Sequence, residues 1–268
     1  VPAINSCKKN KIKNIFITLW GDDGGECSPF AALPSLLYVA EYLKGNTDED
    51  KIKEKFKRLT GIGFDDFMLL DKPNQVDMDT TAWFPPNPVK YMFYSDYMSD
   101  FLDVTVSDNV NAYEYYNKLA KELYAVSKKT RKYGYLFDTA AKLCEVMQYK
   151  YELGKKTRTA YKKGDMAELE HLAKNDYVKL ARNMKKFSLA FEKQWYKVNK
   201  PQGFDVQDHR IGGMIHRTDA CRRRILDYVA GKVDSIPEYE EKLVNAYGNQ
   251  PSSLSQYKVY STVNVITH

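Results

Sequence analysis

The stretch AKNDYVKLARNMKKFSLAFEKQWYKV, Ala173 to Val198, decides the fold. Its apolar residues stand at Ala173, Tyr177, Leu180, Met184, Phe187, Phe191, Trp195 and Val198, in steps of three and four throughout. Steps of that size return side chains to one face of a helix with 3.6 residues per turn, close to a heptad seam. The alternation of period two that marks a half-buried strand is absent. The stretch reads as one long amphipathic helix over about 166–199, with its stripe against a core or a partner helix.

The same period governs the flanking chain. Residues 109–128 form one helix, and Tyr133–Lys163 another, striped by Phe137, Ala140, Cys144, Met147 and Tyr151. Gly164-Asp165 separates the latter from the long helix. A further helix covers 208–230, with Ile211, Met214, Ile215, Thr218, Cys221, Ile225 and Val229 inward, and Ser235-Ile236-Pro237 opens a short one to about Tyr247. Nearer the start, Ser28-Pro29 is an N-cap followed by a first-turn proline. The helix it opens carries Phe30, Leu33, Leu36, Leu37, Ala40 and Leu43 and ends at Gly45. Thr47 caps a charged helix with Ile52, Phe56 and Leu59 on one side, ending at Gly61. Residues 62–107 read as irregular, with loop signals at Asp71-Lys72-Pro73-Asn74 and Pro85-Pro86-Asn87-Pro88. Aromatics crowd there at Trp83, Phe84, Tyr91, Phe93, Tyr94 and Tyr97, which points to contact surface, or to reach into a ligand site.

Two segments depart from this pattern. Ile15-Phe16-Ile17-Thr18-Leu19-Trp20 is apolar on both faces and β-prone, the mark of a buried parallel strand. Such a strand needs neighbours on both sides, and the rest of the chain holds no comparable run. It is an orphan, and the chain, which starts at Val1 without Met, reads as a piece of a longer protein. The tail from Tyr257 to Val265 alternates in part, as a short β segment would.

Charge and cysteines narrow the class. The net charge is +6, from 41 basic and 35 acidic residues of both signs interspersed, which describes a solvated mixed surface better than a nucleic-acid face. Arg222-Arg223-Arg224 reads the same way. The four cysteines are far apart, without metal-ligand spacing, and Cys144 and Cys221 sit on apolar helix stripes, so buried thiols in a reducing, cytoplasmic setting are expected. No run is long enough to cross a membrane, and no metal or cofactor motif is present. The 21 tyrosines suit sugar sites and polar interfaces, and suit half-buried helix faces better. His209, Arg210 and Arg217 flank Gly212-Gly213, where close packing against another helix or a partner is expected to offset two mid-helix glycines, a functional polar patch being the alternative.

The chemistry gathers at the end of the orphan strand, in Trp20-Gly21-Asp22-Asp23-Gly24-Gly25-Glu26. A strand followed by a helix is the unit of α/β barrels and doubly wound sheets, and barrel sites lie at the C-terminal strand ends. An indole offers a wall to the apolar face of a pyranose, and a carboxylate accepts hydrogen bonds from vicinal hydroxyls. On spacing alone, Trp20 as core with Asp22 and Asp23 shaping a turn is an equal reading.

Ile17-Thr18-Leu19-Trp20-Gly21-Asp22 resembles the last barrel strand of family-20 glycoside hydrolases, the β-N-acetylhexosaminidases. The fuller string Trp20 to Ser28 resembles the bacterial exo-β-N-acetylglucosaminidase subgroup with a helical C-terminal domain. Two more stretches are similar to that subgroup: Asn87-Pro88-Val89-Lys90-Tyr91 with Asp96, and Lys200-Pro201-Gln202-Gly203-Phe204-Asp205-Val206-Gln207-Asp208 followed by Arg210-Ile211-Gly212-Gly213.

The resemblance implies a parent enzyme with a (β/α)₈ barrel. In that family the substrate's 2-acetamido oxygen attacks the anomeric carbon, an Asp orients the acetamide and a Glu protonates the leaving oxygen. No position here corresponds to that Asp-Glu pair, so this fragment is expected to hold no catalytic residue and to be inactive alone. By the same resemblance Trp20 lines the terminal sugar subsite and Asp22, shorter by a methylene than the Glu of many relatives, binds outer hydroxyls. The expected architecture is mainly α, a bundle-like domain of long helices. The last strand and loop of a truncated barrel cover 1–28 and the C-terminal helical domain 29–268. The expected ligand is an N-acetylhexosamine-terminated glycan, bound with the missing barrel, and the expected assembly a homodimer, with no nucleic-acid or membrane partner. A stand-alone helical interaction module is the alternative; an upstream reading frame too short for a barrel would favour it.

Overall fold

Three helix starts are set by short polar side chains that accept orphan amide protons. Asp48 Oδ1 accepts from the Lys51 amide at 3.2 Å, Asn111 Oδ1 from Glu114 at 3.0 Å and Asp165 Oδ1 from Glu168 at 3.0 Å. The computed structural model describes residues 2–19, 26–76, 88–98, 106 and 110–242. Their helices are α1 (Pro2–Lys9), α2 (Leu33–Leu43), α3 (Glu49–Thr60), α4 (Phe64–Met68), α5 (Pro88–Tyr94), α6 (Ala112–Lys129), α7 (Gly134–Lys163), α8 (Met166–His171), α9 (Tyr177–Val198), α10 (Phe204–Val229) and α11 (Pro237–Glu240). The domain is mainly α, as the periodicity predicts.

α7 is the axis of the bundle. Its 30 residues span about 45 Å at the helical rise. One face buries Phe137, Cys144, Met147 and Tyr151, and another buries Val146, Leu153 and Ala160. This lets α6 pack on one side and α9 on the other, with α10 against α9. α8 and α9 are joined through a π-helical turn, Leu172–Asp176. The wider turn brings two consecutive residues, Leu172 and Ala173, into the core before the stripe Tyr177, Leu180, Met184, Phe187, Phe191 resumes. The seam read from the sequence is therefore core, with Val198 half-buried at its end.

Several local expectations are corrected. Asp48, not Thr47, caps α3. α10 begins at Phe204, earlier than expected, because Gly203 at φ +89° starts it without a capping side chain. Residues 62–107 are less irregular than they read: α4 and a 3₁₀ helix at Leu69–Gln75 follow α3, and α5 lies beyond. Such short helices complete too few turns to show a period. Phe67 of α4 meets Phe56, Tyr133 and Phe137 edge-on at 5.4–5.5 Å, which fixes it to α3 and α7. The aromatics at Tyr91, Phe93, Tyr94 and Tyr97 are buried core, not contact surface; Trp83 and Phe84 lie outside the described residues.

Residues 12–19 carry no helix or strand, and Phe16 is 90 % exposed. A strand is held by its ladder to neighbours, and none of the described residues is in a strand, so the strand expected at 15–20 does not form among them. Trp20 and the tail at 257–265 lie outside the described residues. No helix among them is long and apolar enough to cross a membrane.

Many of the tyrosines serve the core. Tyr97, Tyr116, Tyr177 and Tyr239 are fully buried. Thr218 Oγ1 donates to the Met214 carbonyl at 2.7 Å and so accepts from the Tyr97 hydroxyl at 2.5 Å. Thr157 donates to Leu153 and accepts from Tyr177 in the same way. Each phenol thus spends its apolar ring on packing and satisfies its one polar atom.

Candidate functional site

The described part of the strand-end loop is its last residue, Glu26, and the turn Cys27-Ser28 that leads into the helices; Trp20 and Asp22 lie outside the described residues. Ser28 Oγ accepts from the Phe30 amide at 3.4 Å and caps a 3₁₀ turn, Pro29–Ala32, that runs into α2. The chain is thereby pinned immediately after Glu26.

Glu26 is gripped from two other elements. Lys90 Nζ, in the middle of α5, donates to Glu26 Oε2 at 2.8 Å. Arg210 Nη1, in the second turn of α10, stands 3.7 Å from Glu26 Oε1. The side chains are 13 % exposed for Lys90, 5 % for Arg210 and 27 % for Glu26. At that burial the attraction is screened far less than on a surface. Tyr94, one turn beyond Lys90, is buried in the same place. Desolvation first, then the charge of Glu26, push its hydroxyl well above the ordinary tyrosine range, so it stays protonated.

A parallel arrangement holds the next turn. Asp96 accepts two bonds from Arg217 of α10, from Nε at 2.5 Å and Nη2 at 2.9 Å. That carboxylate raises the Arg217 pKa further above its ordinary value. Lys150 of α7 donates to the Ser95 carbonyl at 2.7 Å and hydroxyl at 2.6 Å, and Arg158 to the Met98 carbonyl at 2.5 Å. Residues 95–98 are thus fixed from α7 and α10 together.

The three sequence stretches singled out for their resemblance, at 20–28, 87–96 and 200–213, therefore meet at one place, through Glu26, Lys90 and Arg210. By sequence Arg210 reads as a packing residue or part of a polar patch beside Gly212-Gly213, and Lys90 carries no signal beyond its motif. A lysine between buried Val89 and Met92 on so short a helix is the trace it leaves, because a charge among core residues needs a partner. Beside the cluster is a cavity of about 270 Å³, walled mainly by Leu70, Phe93, Leu136, Ala140, Phe187 and Phe191 and bordered by Glu26, Lys90 and Gln194.

Other sequence candidates resolve into structure. Arg222 and Arg223 share Asp219, and Arg224 pairs with Glu238 at 3.0 Å, so the arginine run is a solvated face with two carboxylates set against its three charges. Gly212 and Gly213 are exposed within an unbroken α10, and a Cβ at either would meet no atom within 4 Å. Packing among the described residues does not account for them, so the expected close contact with another helix is not found there. Cys144 and Cys221 are buried free thiols. No group of three metal-ligating side chains occurs among the described residues.

The described residues form a bundle of long helices in which α5 and α10 converge on Glu26. The family of the Glycoside Hydrolase 20C C-terminal domain matches residues 65–257, most of the chain, and the chain belongs to that family. Membership implies a glycoside hydrolase as the parent protein. No curated protein matches the chain.

Proposed function

We propose that this chain is the C-terminal part of a β-N-acetylhexosaminidase that removes terminal N-acetylglucosamine or N-acetylgalactosamine from glycans by substrate-assisted, retaining hydrolysis. The observation that carries the reading is the meeting of the three resembling stretches at Glu26, Lys90 and Arg210, inside a chain whose family is that of a hydrolase C-terminal domain. In this reading Trp20 walls the terminal sugar subsite and Asp22 binds outer hydroxyls. The helices buttress a barrel that supplies the Asp-Glu pair, and they build a homodimer in a cytoplasmic enzyme. The exposed apolar run at Ile15–Leu19 fits a strand whose sheet belongs to that barrel.

The test is an assay on an aryl N-acetyl-β-glucosaminide. The full-length protein is expected to hydrolyse it and residues 1–268 alone to leave it intact. Hydrolysis by 1–268, or a full-length protein without any hexosaminidase activity, overturns the reading.

A further inference from the structure

The chain's surplus of positive charge is not spread evenly along it. Residues 177–200 hold seven basic side chains and one acidic, a surplus of six, which equals the net charge of the whole chain; the remaining residues hold 34 of each sign. α9 then sorts these charges by face. At about 100° per residue, Arg182, Lys185, Lys186, Lys193 and Lys197 fall within one arc of about 120°, and all five are exposed. Lys200 is exposed just past the end of the helix. Val178, Leu189 and Tyr196 run as a line along the same arc, all exposed, Leu189 by 60 %. Glu192, the one acid of the stretch, lies just outside it.

Elsewhere the helices pair such charges. Lys142 with Asp138, Lys156 with Glu152 and Lys174 with Glu170 are opposite charges one turn apart. On α9 the one-turn neighbours are like charges, Arg182 with Lys186 and Lys193 with Lys197, an arrangement that costs helix stability. Among the described residues no salt bridge reaches Arg182, Lys185, Lys186, Lys193 or Lys200. Lys197 rests 4.2 Å from the Tyr135 ring centre, which leaves its charge uncancelled. We infer that the outer face of α9 docks on an anionic lipid surface, lying along it rather than spanning it. Unpaired cations in a row fit a polyanion by charge complementarity, and the apolar line narrows the class. Lysine stems and a line of valine, leucine and tyrosine settle into a headgroup layer, whereas a nucleic-acid backbone offers Leu189 no apolar counterpart. The α9 side chains suited to reading base edges, Asn183 and Gln194, are buried. Each cation brought to an anionic bilayer raises partitioning about fivefold. The even mixture of signs that speaks against a membrane partner holds for the composition of the chain and not for this face.

The experiment sediments the full-length protein with vesicles of phosphatidylcholine containing about 30 % phosphatidylglycerol, and with vesicles of phosphatidylcholine alone, at about 0.05 and 0.5 M salt. Binding is expected to the anionic vesicles alone, and to fall about tenfold or more at the higher salt. Lys185→Glu, Lys186→Glu and Lys193→Glu in one variant lower it about a hundredfold or more. Lys118→Glu, Lys121→Glu and Lys128→Glu, the same change of net charge on exposed positions of α6, lower it less than about tenfold. Leu189→Ser weakens it about threefold at either salt. The substituted side chains are all exposed, and an unchanged Tm shows that each variant folds. If the α9 triple variant does not fold, the single Lys186→Glu, expected to weaken binding about tenfold, decides. No sedimentation with the anionic vesicles, equal sedimentation with phosphatidylcholine alone, or equal losses in the two triple variants overturns the inference. Binding to a DNA duplex that is tighter than to the vesicles and indifferent to Leu189→Ser overturns it as well, and gives the face to nucleic acid.

Discussion

Gly134 and the pair Gly212-Gly213 are all helical glycines, yet the same substitution is expected to act on them with opposite signs. Gly134 opens α7 after a turn of four residues from α6. A Cβ built there falls 2.6 Å from the Ser127 carbonyl oxygen. An acceptable C···O approach is about 3.3 Å, so the two helices must part by roughly 0.7 Å. They are also tied by the Ser127 hydroxyl, which donates to the Gly134 carbonyl at 2.8 Å. Gly134→Ala therefore costs an overpacking penalty of about 1–3 kcal/mol, against at most about 1 kcal/mol gained in helix propensity, less in a first turn. A net loss of about 1–2 kcal/mol corresponds to a fall of roughly 2–8 °C in Tm for a chain of this size. At Gly212 and Gly213 a Cβ meets nothing, and alanine should stabilise by about 0.5–1 kcal/mol each through helix propensity alone. The assay is thermal and urea unfolding of the chain followed by far-UV circular dichroism. A neutral or stabilising Gly134→Ala refutes the close approach of α6 and α7. A destabilising Gly212→Ala shows that α10 is packed on that face after all.

Three further outcomes follow from the structure. Lys150→Met removes a buried cation that serves the Ser95 carbonyl and hydroxyl and lies 4.4 Å from the Tyr97 ring centre; a loss of roughly 2–4 kcal/mol is expected in the urea midpoint, and a loss under 0.5 kcal/mol rejects that role. Alkaline stability should decline. Burial raises Cys144 and Tyr177 above their ordinary ranges, burial does the same for Tyr97, and it pushes Cys221 up to about 12. Above about pH 8.5 the unfolded chain sheds thiol protons that the folded chain keeps, so these groups leave stability unchanged just below that pH and lower it above by about 1.4 kcal/mol per unit for each thiol, with tyrosines adding beyond about 10. The double variant Cys144→Ala, Cys221→Ala should flatten the limb between pH 8.5 and 10, and an unaltered slope contradicts the assignment. In the full-length enzyme, Trp20→Ala should cut turnover of an aryl N-acetylglucosaminide at least tenfold with Tm unchanged, since the indole is proposed as a sugar wall; wild-type kinetics would remove it from the site.

The chain's own residues determined its long helices. The stripes at Phe137–Tyr151 and Tyr177–Phe191 repeat over several turns, and a local period is legible without any knowledge of neighbours. Gly164-Asp165 marks the break before the long helix, while the start of α6 at Ala112, capped by Asn111, lies three residues beyond the start read at 109. The motif strings also singled out three stretches. What they could not show is that these stretches touch. Glu26 and Lys90 are 64 residues apart, and Asp96 and Arg217 are 121 apart. Ion pairs across such separations arise from how α5 and α10 are seated on α7 and α9, and no pattern of period 3.6 encodes them. The tertiary structure likewise decided that Tyr91, Phe93 and Tyr94 are core, because a helix of seven residues acquires its burial from all sides at once. It set the fate of Ile15–Leu19 too. Its composition says strand, but a strand exists only through the ladder of a neighbouring strand, and no described residue is in one.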